Sequence, residues 1–304
     1  MNSKTVLENT SLVCANYGNG SALEEILLDW FSFLGGKPGE VILADAGSDE
    51  DTHKKMQLLL SQGCIDIGLF YKVGHPQKER EFAYMKEFIV PHISSKKYIL
   101  FFKIDSLPFR LGFDSWISEA ATFLEEEDIF AIGGSFNYKA KHQDSRWSGY
   151  FFSRRCSENF AFMKKDECMK AFREYAGEFI DSGFIHNNPL PLPERKGRSR
   201  FLVEICWEKY MEKHNKFTLV KKESSDWRIF HTNSTEEGLL KVRKEFFNGK
   251  NIESFLNAGM YTNQDEKMYY GKKKTFVQKI KKIIKKFIGS NFIGKLKKNY
   301  EKHQ

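Results

Sequence analysis

Three short polar clusters, each following an apolar run with strand character, are the residues best placed to do chemistry in this chain. Asn16-Tyr17 follows Ser11–Ala15, Asp45-Ala46-Gly47-Ser48 follows Glu40–Ala44, and Asp105 follows the run 97–102. Ligands of open parallel sheets bind beyond the carboxyl ends of the strands. An amide, an aromatic ring and two carboxylates could therefore meet in one crevice. That set suits a nucleoside diphosphate: the ring stacks on a base, one carboxylate accepts from base or ribose, and the other holds a hard divalent cation between two phosphates. Singly, the same residues also suit turns and caps. Their joint placement is what points to a ligand.

Positioning them requires strands and helices in alternation, and the first half of the chain reads that way. Strands are predicted at 11–15, 40–44, 65–73 and 97–102. Helices are predicted at 21–33, 51–62 and 79–93, the first with Leu23, Ile26, Leu27 and Trp30 on one face. The order β-α-β-α-β-α-β implies a mainly parallel central sheet flanked by helices, an α/β fold. The aromatic and β-branched run 97–102 suits an interior strand. In the second half, 128–136 and 150–152 read as strands and 165–179 and 201–214 as helices. Between these helices, 187–200 carries three prolines and four cations and reads as an exposed loop.

Composition excludes other classes. At 304 residues, 41% hydrophobic and 29% charged, the chain is long enough for one main domain and an appendage. The formal charge of +8 is unevenly spread: residues 272–304 hold twelve lysines, no arginine and one acid, +11, which leaves −3 for the remainder. A slightly acidic body is a poor partner for a polyphosphate backbone, so nucleic acid is not expected as a ligand. Five scattered cysteines without C-x-x-C spacing suggest neither a zinc site nor a disulfide framework and fit a reducing compartment. No apolar leader and no run of about 20 apolar residues is present.

Four segments carry a resemblance to a known family. They are Ser11-Leu-Val-Cys-Ala-Asn-Tyr17, Ile42-Leu-Ala-Asp45-Ala-Gly-Ser48-Asp-Glu-Asp-Thr52, Tyr98-Ile-Leu-Phe-Phe-Lys-Ile-Asp105, and the acidic helix beginning Phe201-Leu-Val-Glu204. Over roughly 10–235 the chain resembles a bacterial-type family 2 glycosyltransferase of GT-A fold. The resemblance implies that Ala15, Asn16, Tyr17, Asp45, Lys86, Lys103 and Asp105 hold a nucleotide sugar. It also implies that Asp105 and His231 ligate a divalent cation, Mn²⁺ or Mg²⁺, and that Glu204 is the general base of an inverting transfer. The segment 159–165 would help wall off the acceptor. One departure stands out: the family's D-x-D reads Lys103-Ile104-Asp105. Lys103 could neutralise diphosphate charge in place of the ion, or turn into the neighbouring helix layer. Glu204 shares its helix with Glu208 and Glu212. Trp147 could stack on a sugar or pack into the core.

From Lys272 onward Phe276, Ile280, Ile283, Ile284 and Phe287 recur at helical spacing among lysines, the pattern of a basic amphipathic helix. The expected organisation is a transferase domain over 1–235, a helical extension over 236–270 and a membrane-associating tail over 271–304. The expected partners are a nucleotide-sugar donor (a UDP-sugar), a glycan or lipid-linked acceptor, and an anionic membrane surface met through 272–300. The expected location is cytoplasmic, peripheral on the inner face of the cell membrane. The alternative is a noncatalytic nucleotide-sugar-binding or membrane-surface scaffold protein. A dinucleotide enzyme is disfavoured, because after Gly18-Asn-Gly20 the third glycine of G-x-G-x-x-G is replaced by Leu23.

Overall fold

The structure, a computed structural model, describes residues 2–70, 80–112, 116–134, 143–181, 203–232, 234–249 and 252–258. The cationic loop 187–200 and the basic tail 272–304 lie outside the described residues. In chain order the elements are α1 (Ser3–Glu8), β1 (Thr10–Asn16), α2 (Leu23–Leu34), β2 (Glu40–Asp45), α3 (Glu50–Ser61), β3 (Ile67–Leu69), α4 (Arg80–Ile93), β4 (Tyr98–Lys103) and β5 (Ser106–Arg110). There follow α5 (Trp116–Phe123), β6 (Ile129–Gly133), β7 (Gln143–Asp144), β8 (Tyr150–Ser153), β9 (Phe160–Lys164), α6 (Lys165–Asp181), α7 (Val203–Lys213), β10 (Phe217–Lys221), β11 (Trp227–His231), α8 (Glu236–Phe247) and α9 (Ile252–Ala258).

Nine strands form one sheet in the order β3-β2-β1-β4-β9-β6-β10-β8-β7. The pairings β3–β2, β2–β1, β1–β4 and β6–β10 are parallel. Only β9 and β8 run against the others. The expected α/β class with a mainly parallel sheet between helix layers is therefore the fold. Alternation along the strands divides the core. Leu12 and Cys14, Tyr98, Leu100 and Phe102, and Phe160 and Phe162 face the layer built by α2, α5 and α8. Val13, Ile99, Phe101, Ala161 and Met163 face α4, α6 and α7.

On the first face the helical period of α2 buries Leu23, Ile26, Leu27 and Trp30, and Gly35 ends the helix at φ +85°. Around Trp30 gather Phe33, Phe102 and Phe160, joined by Trp116 and Trp227. α8 adds Leu239, Val242 and Phe246 to the same core, and its Arg243 pairs with Asp29 and Glu25 of α2.

Two segments singled out from sequence find their places in the packing. The segment 159–165 contains a core strand: β9 lies between β4 and β6 with Phe160 to Met163 fully buried. Four apolar residues in a row suit a strand covered on both faces. Trp147 packs against Phe123 at 4.8 Å under the Arg146 guanidinium at 4.0 Å. It stands beside β8, near the sheet edge remote from β1, partly buried against the core as the packing alternative has it.

Candidate functional site

The registers of the parallel strands bring the sequence-predicted residues into one row. Asn16 is level with Asp45 and Ala15 with both Ala44 and Lys103, so the ends of β2, β1 and β4 form a continuous rim. The apolar runs Leu12–Ala15 in β1 and Val41–Ala44 in β2 end at the same level, so the polar residues Asn16 and Asp45 that follow them coincide.

At the β2 end, Asp45 is 2% exposed. Its Oδ1 accepts from Asn16 Nδ2 at 3.0 Å and Ser48 Oγ at 2.5 Å. Its Oδ2 accepts from the backbone N–H groups of Gly47 and Ser48 at 2.8 and 2.7 Å and lies 2.9 Å from His53 Nε2. A carboxylate only accepts, so Nε2 carries the proton in this contact. Gly47 stands at φ +91°, which the turn requires. Ser48 Oγ also accepts from Gly18 N–H at 2.7 Å and Ala46 N–H donates to Asn16 O at 3.0 Å, tying the two strand-end loops together. Tyr17 stays 40% exposed above this network. Phe70, also 40% exposed, meets the His53 ring edge-on at 5.3 Å. His53 was not singled out from sequence. Its signal is local: Asp49 caps α3 by accepting from Thr52 N–H, which sets His53 in the first turn beside the Asp45 loop.

At the β4 end the chain turns at Ile104-Asp105 into β5, which pairs with β11 in an antiparallel ribbon with His231 opposite Ser106. This pairing places His231 Nε2 3.1 Å from Asp105 Oδ2, and Thr232 N–H donates to Asp105 O at 2.9 Å. Burial would raise the Asp105 carboxyl, but His231 and Lys103 outweigh it and hold it below the usual carboxylate range. Two residues 126 positions apart in sequence thus meet. Among the described residues no group of three or more His, Cys, Asp and Glu gathers around a metal position.

Lys103 takes the second course open to it. Two residues after Phe101, it shares that residue's face toward α4, α6 and α7, with Nζ 2.6 Å from Glu158 Oε1. Burial alone would lower its pKa, yet Glu158, Glu87 and Glu204 together raise it well above the ordinary lysine value. Glu204 lies in the first turn of α7, where its Oε1 accepts from Ser157 Oγ at 2.8 Å and Glu158 N–H at 3.2 Å. Glu158 and Glu87 were missed from sequence. A carboxylate just before the apolar strand β9 was their only signal, and nothing local ties it to Lys103. A small cleft lined by Ala15, Glu87, Val90, Phe101, Lys103 and Glu158 among others opens here. Lys86 lies on α4 beside Glu87, and its side chain is outside the described residues.

No protein-family model matches the chain, and no curated protein matches it significantly. Three solved structures are similar in part. The mannosyltransferase PcManGT from Pyrobaculum calidifontis, in complex with GDP-Man and Mn²⁺, is 10% identical with a TM-score of 0.37, over 55% of this chain and 46% of that one. GalNAc-T7 with UDP, GalNAc and Mn²⁺ is 11% identical with a TM-score of 0.48, over 82% and 50%. A197 from STIV is 14% identical with a TM-score of 0.33, over 74% and 86%. The matches span about half the length of each of the first two proteins. The fold of the chain rests on its own strand order and directions, not on these likenesses.

Proposed function

We propose that the protein is an inverting glycosyltransferase that moves a sugar from a nucleotide-sugar donor, a UDP-sugar, to a glycan or lipid-linked acceptor at the cytoplasmic face of a membrane. The observation that carries this reading is the convergence, at the carboxyl ends of adjacent parallel strands, of an exposed aromatic, a tied amide–carboxylate loop and an Asp105–His231 pair. The base stacks on Tyr17, and Asn16 and Asp45 hold the nucleoside, Asp45 through the loop that it ties together.

A divalent cation fits the donor set beside them. Asp105 and His231 are side-chain types that ligate divalent cations, and they stand 3.1 Å apart in a contact that an ion held between them would replace. Two protein ligands suffice where diphosphate oxygens and waters complete the shell. When bound there, the ion supplies positive charge to the leaving diphosphate. Charge balance favours this over a metal-free site: Lys103 is surrounded by Glu158, Glu87 and Glu204, so that cluster sums to −2 and has no cation to lend. Glu204 removes the acceptor hydroxyl's proton. The oxygen attacks the anomeric carbon as its bond to the diphosphate breaks, and UDP leaves with the electron pair from the opposite face, which inverts the centre. The amphipathic pattern of 272–300 supports delivery of the enzyme to an acceptor at an anionic membrane surface.

The test is donor binding and hydrolysis by purified full-length protein across a panel of nucleotide sugars, with and without Mn²⁺ or Mg²⁺. One UDP-sugar is expected to bind saturably with the ion present, and Asp105→Ala is expected to weaken this at least tenfold. A protein that binds no nucleotide sugar under any ionic condition is not a transferase, and the scaffold reading replaces this one.

A further inference from the structure

Lys103 occupies the position at which the expected motif would hold its first carboxylate, and its surroundings differ from those of a phosphate-binding cation. The nearest acid is Glu158, 2.6 Å from Nζ and only 5% exposed. Glu158 faces two ways. Its carboxylate meets Lys103, while its backbone N–H donates to Glu204 Oε1 at 3.2 Å, next to the Ser157 hydroxyl at 2.8 Å. Two donors on one oxygen fix the plane of the Glu204 carboxyl group and with it the direction of Oε2. These donors sit in the irregular stretch between β8 and β9, whose backbone has no ladder partner at Ser157 and Glu158. An ion pair to the last residue of β4 ties that stretch to the sheet.

We propose that Lys103 is a positioning residue for Glu204: by holding the Glu158 carboxylate it fixes the Ser157–Glu158 donors that orient the base, and it does not contact the donor diphosphate. The proposal rests on the reading of Glu204 as the general base. A base misplaced by about 1 Å can lose two orders of magnitude in rate with no change in ground-state binding, so the signature is a loss confined to kcat.

The experiment compares full-length wild type, Lys103→Met, Lys103→Arg and Glu158→Gln by steady-state transfer and by calorimetric binding of UDP with Mn²⁺. Lys103→Met and Glu158→Gln are expected to lower kcat at least tenfold while donor KM and UDP Kd stay within threefold. Lys103→Arg is expected to recover at least a third of kcat, because another cation at this spot can hold Glu158. A tenfold loss of UDP affinity in Lys103→Met would overturn the proposal in favour of diphosphate contact. Unchanged kcat in both Lys103→Met and Glu158→Gln overturns it as well. Should Lys103→Met fail to fold, the isosteric Glu158→Gln carries the same comparison. Glu204→Gln serves as the separate control. Undiminished turnover in it refutes the base assignment and this inference with it but leaves the transferase reading standing, whereas a wild type that binds no nucleotide sugar refutes all three.

Discussion

Asp45 accepts hydrogen bonds from a buried amide, a hydroxyl and two backbone N–H groups and also meets an imidazole. A turn reading and a ligand reading of Asp-Ala-Gly-Ser are therefore one structure, because the carboxylate that closes the turn also fixes the residues at its mouth. Removing it would strand several buried donors, each costing about 1–3 kcal/mol. Asp45→Ala is expected to lower stability in urea by about 3 kcal/mol or more, and Asp45→Asn by roughly half as much, since its amide oxygen keeps part of the network. Of the candidate-site residues, Asn16, Tyr17, Asp45 and Asp105 could be singled out from sequence because each lies in the short polar stretch that follows an apolar run. His53 and Glu158 were not: the Asp49 cap sets His53 in the first turn of α3 without marking which strand end it meets, and a glutamate in an irregular stretch carries no local mark of what it touches.

At the scale of elements, the strand ends opposite the site show how the sheet is held. Glu40, at the start of β2, accepts from Ser11 Oγ at 2.5 Å, Ser95 N–H at 3.0 Å and Ser95 Oγ at 2.8 Å, joining β1, β2 and the segment before β4. Burial pushes the Glu40 carboxyl up, but these bonds outweigh it and hold it below its ordinary 4.5. A depressed carboxyl contributes stability above its unfolded-state pKa and loses it as pH falls through the folded value. The stability difference between wild type and Glu40→Gln is therefore expected to be full at neutral pH and to shrink as pH drops below 4.5. A difference that persists unchanged at pH 3 in chemical denaturation would show that the carboxylate charge contributes nothing there. Helices α2, α3, α4, α6 and α7 were all readable from their apolar period, whereas β5, β10 and β11 were missed, because five-residue strands with mixed burial give too short a pattern to separate from loop.

Across the whole molecule, the aromatic core and the site share one element. Trp227 of β11 packs against Phe33, Trp116 and Phe160 with ring centroids 5.6 to 5.9 Å apart, and four residues on the same strand presents His231 to Asp105. Trp227→Ala is expected to cost about 3–5 kcal/mol of stability and, in the folded population, to weaken Mn²⁺-dependent donor binding as the ribbon loosens. Equal donor affinity in the variant and wild type would show that the ribbon keeps its place without its anchor.

The sequence by itself determined the alternation of strands and helices, the polar residues at the strand ends and the separation of a cationic tail from a slightly acidic body, because each is written in the spacing or composition of neighbouring residues. Only the tertiary structure decided that β9 would enter the sheet against its neighbours between β4 and β6, that Lys103 would turn to Glu158, and that β11 would carry His231 to Asp105. Those contacts join residues 28 to 126 positions apart, and no local period encodes them. They follow from which apolar faces the whole chain can bury at once.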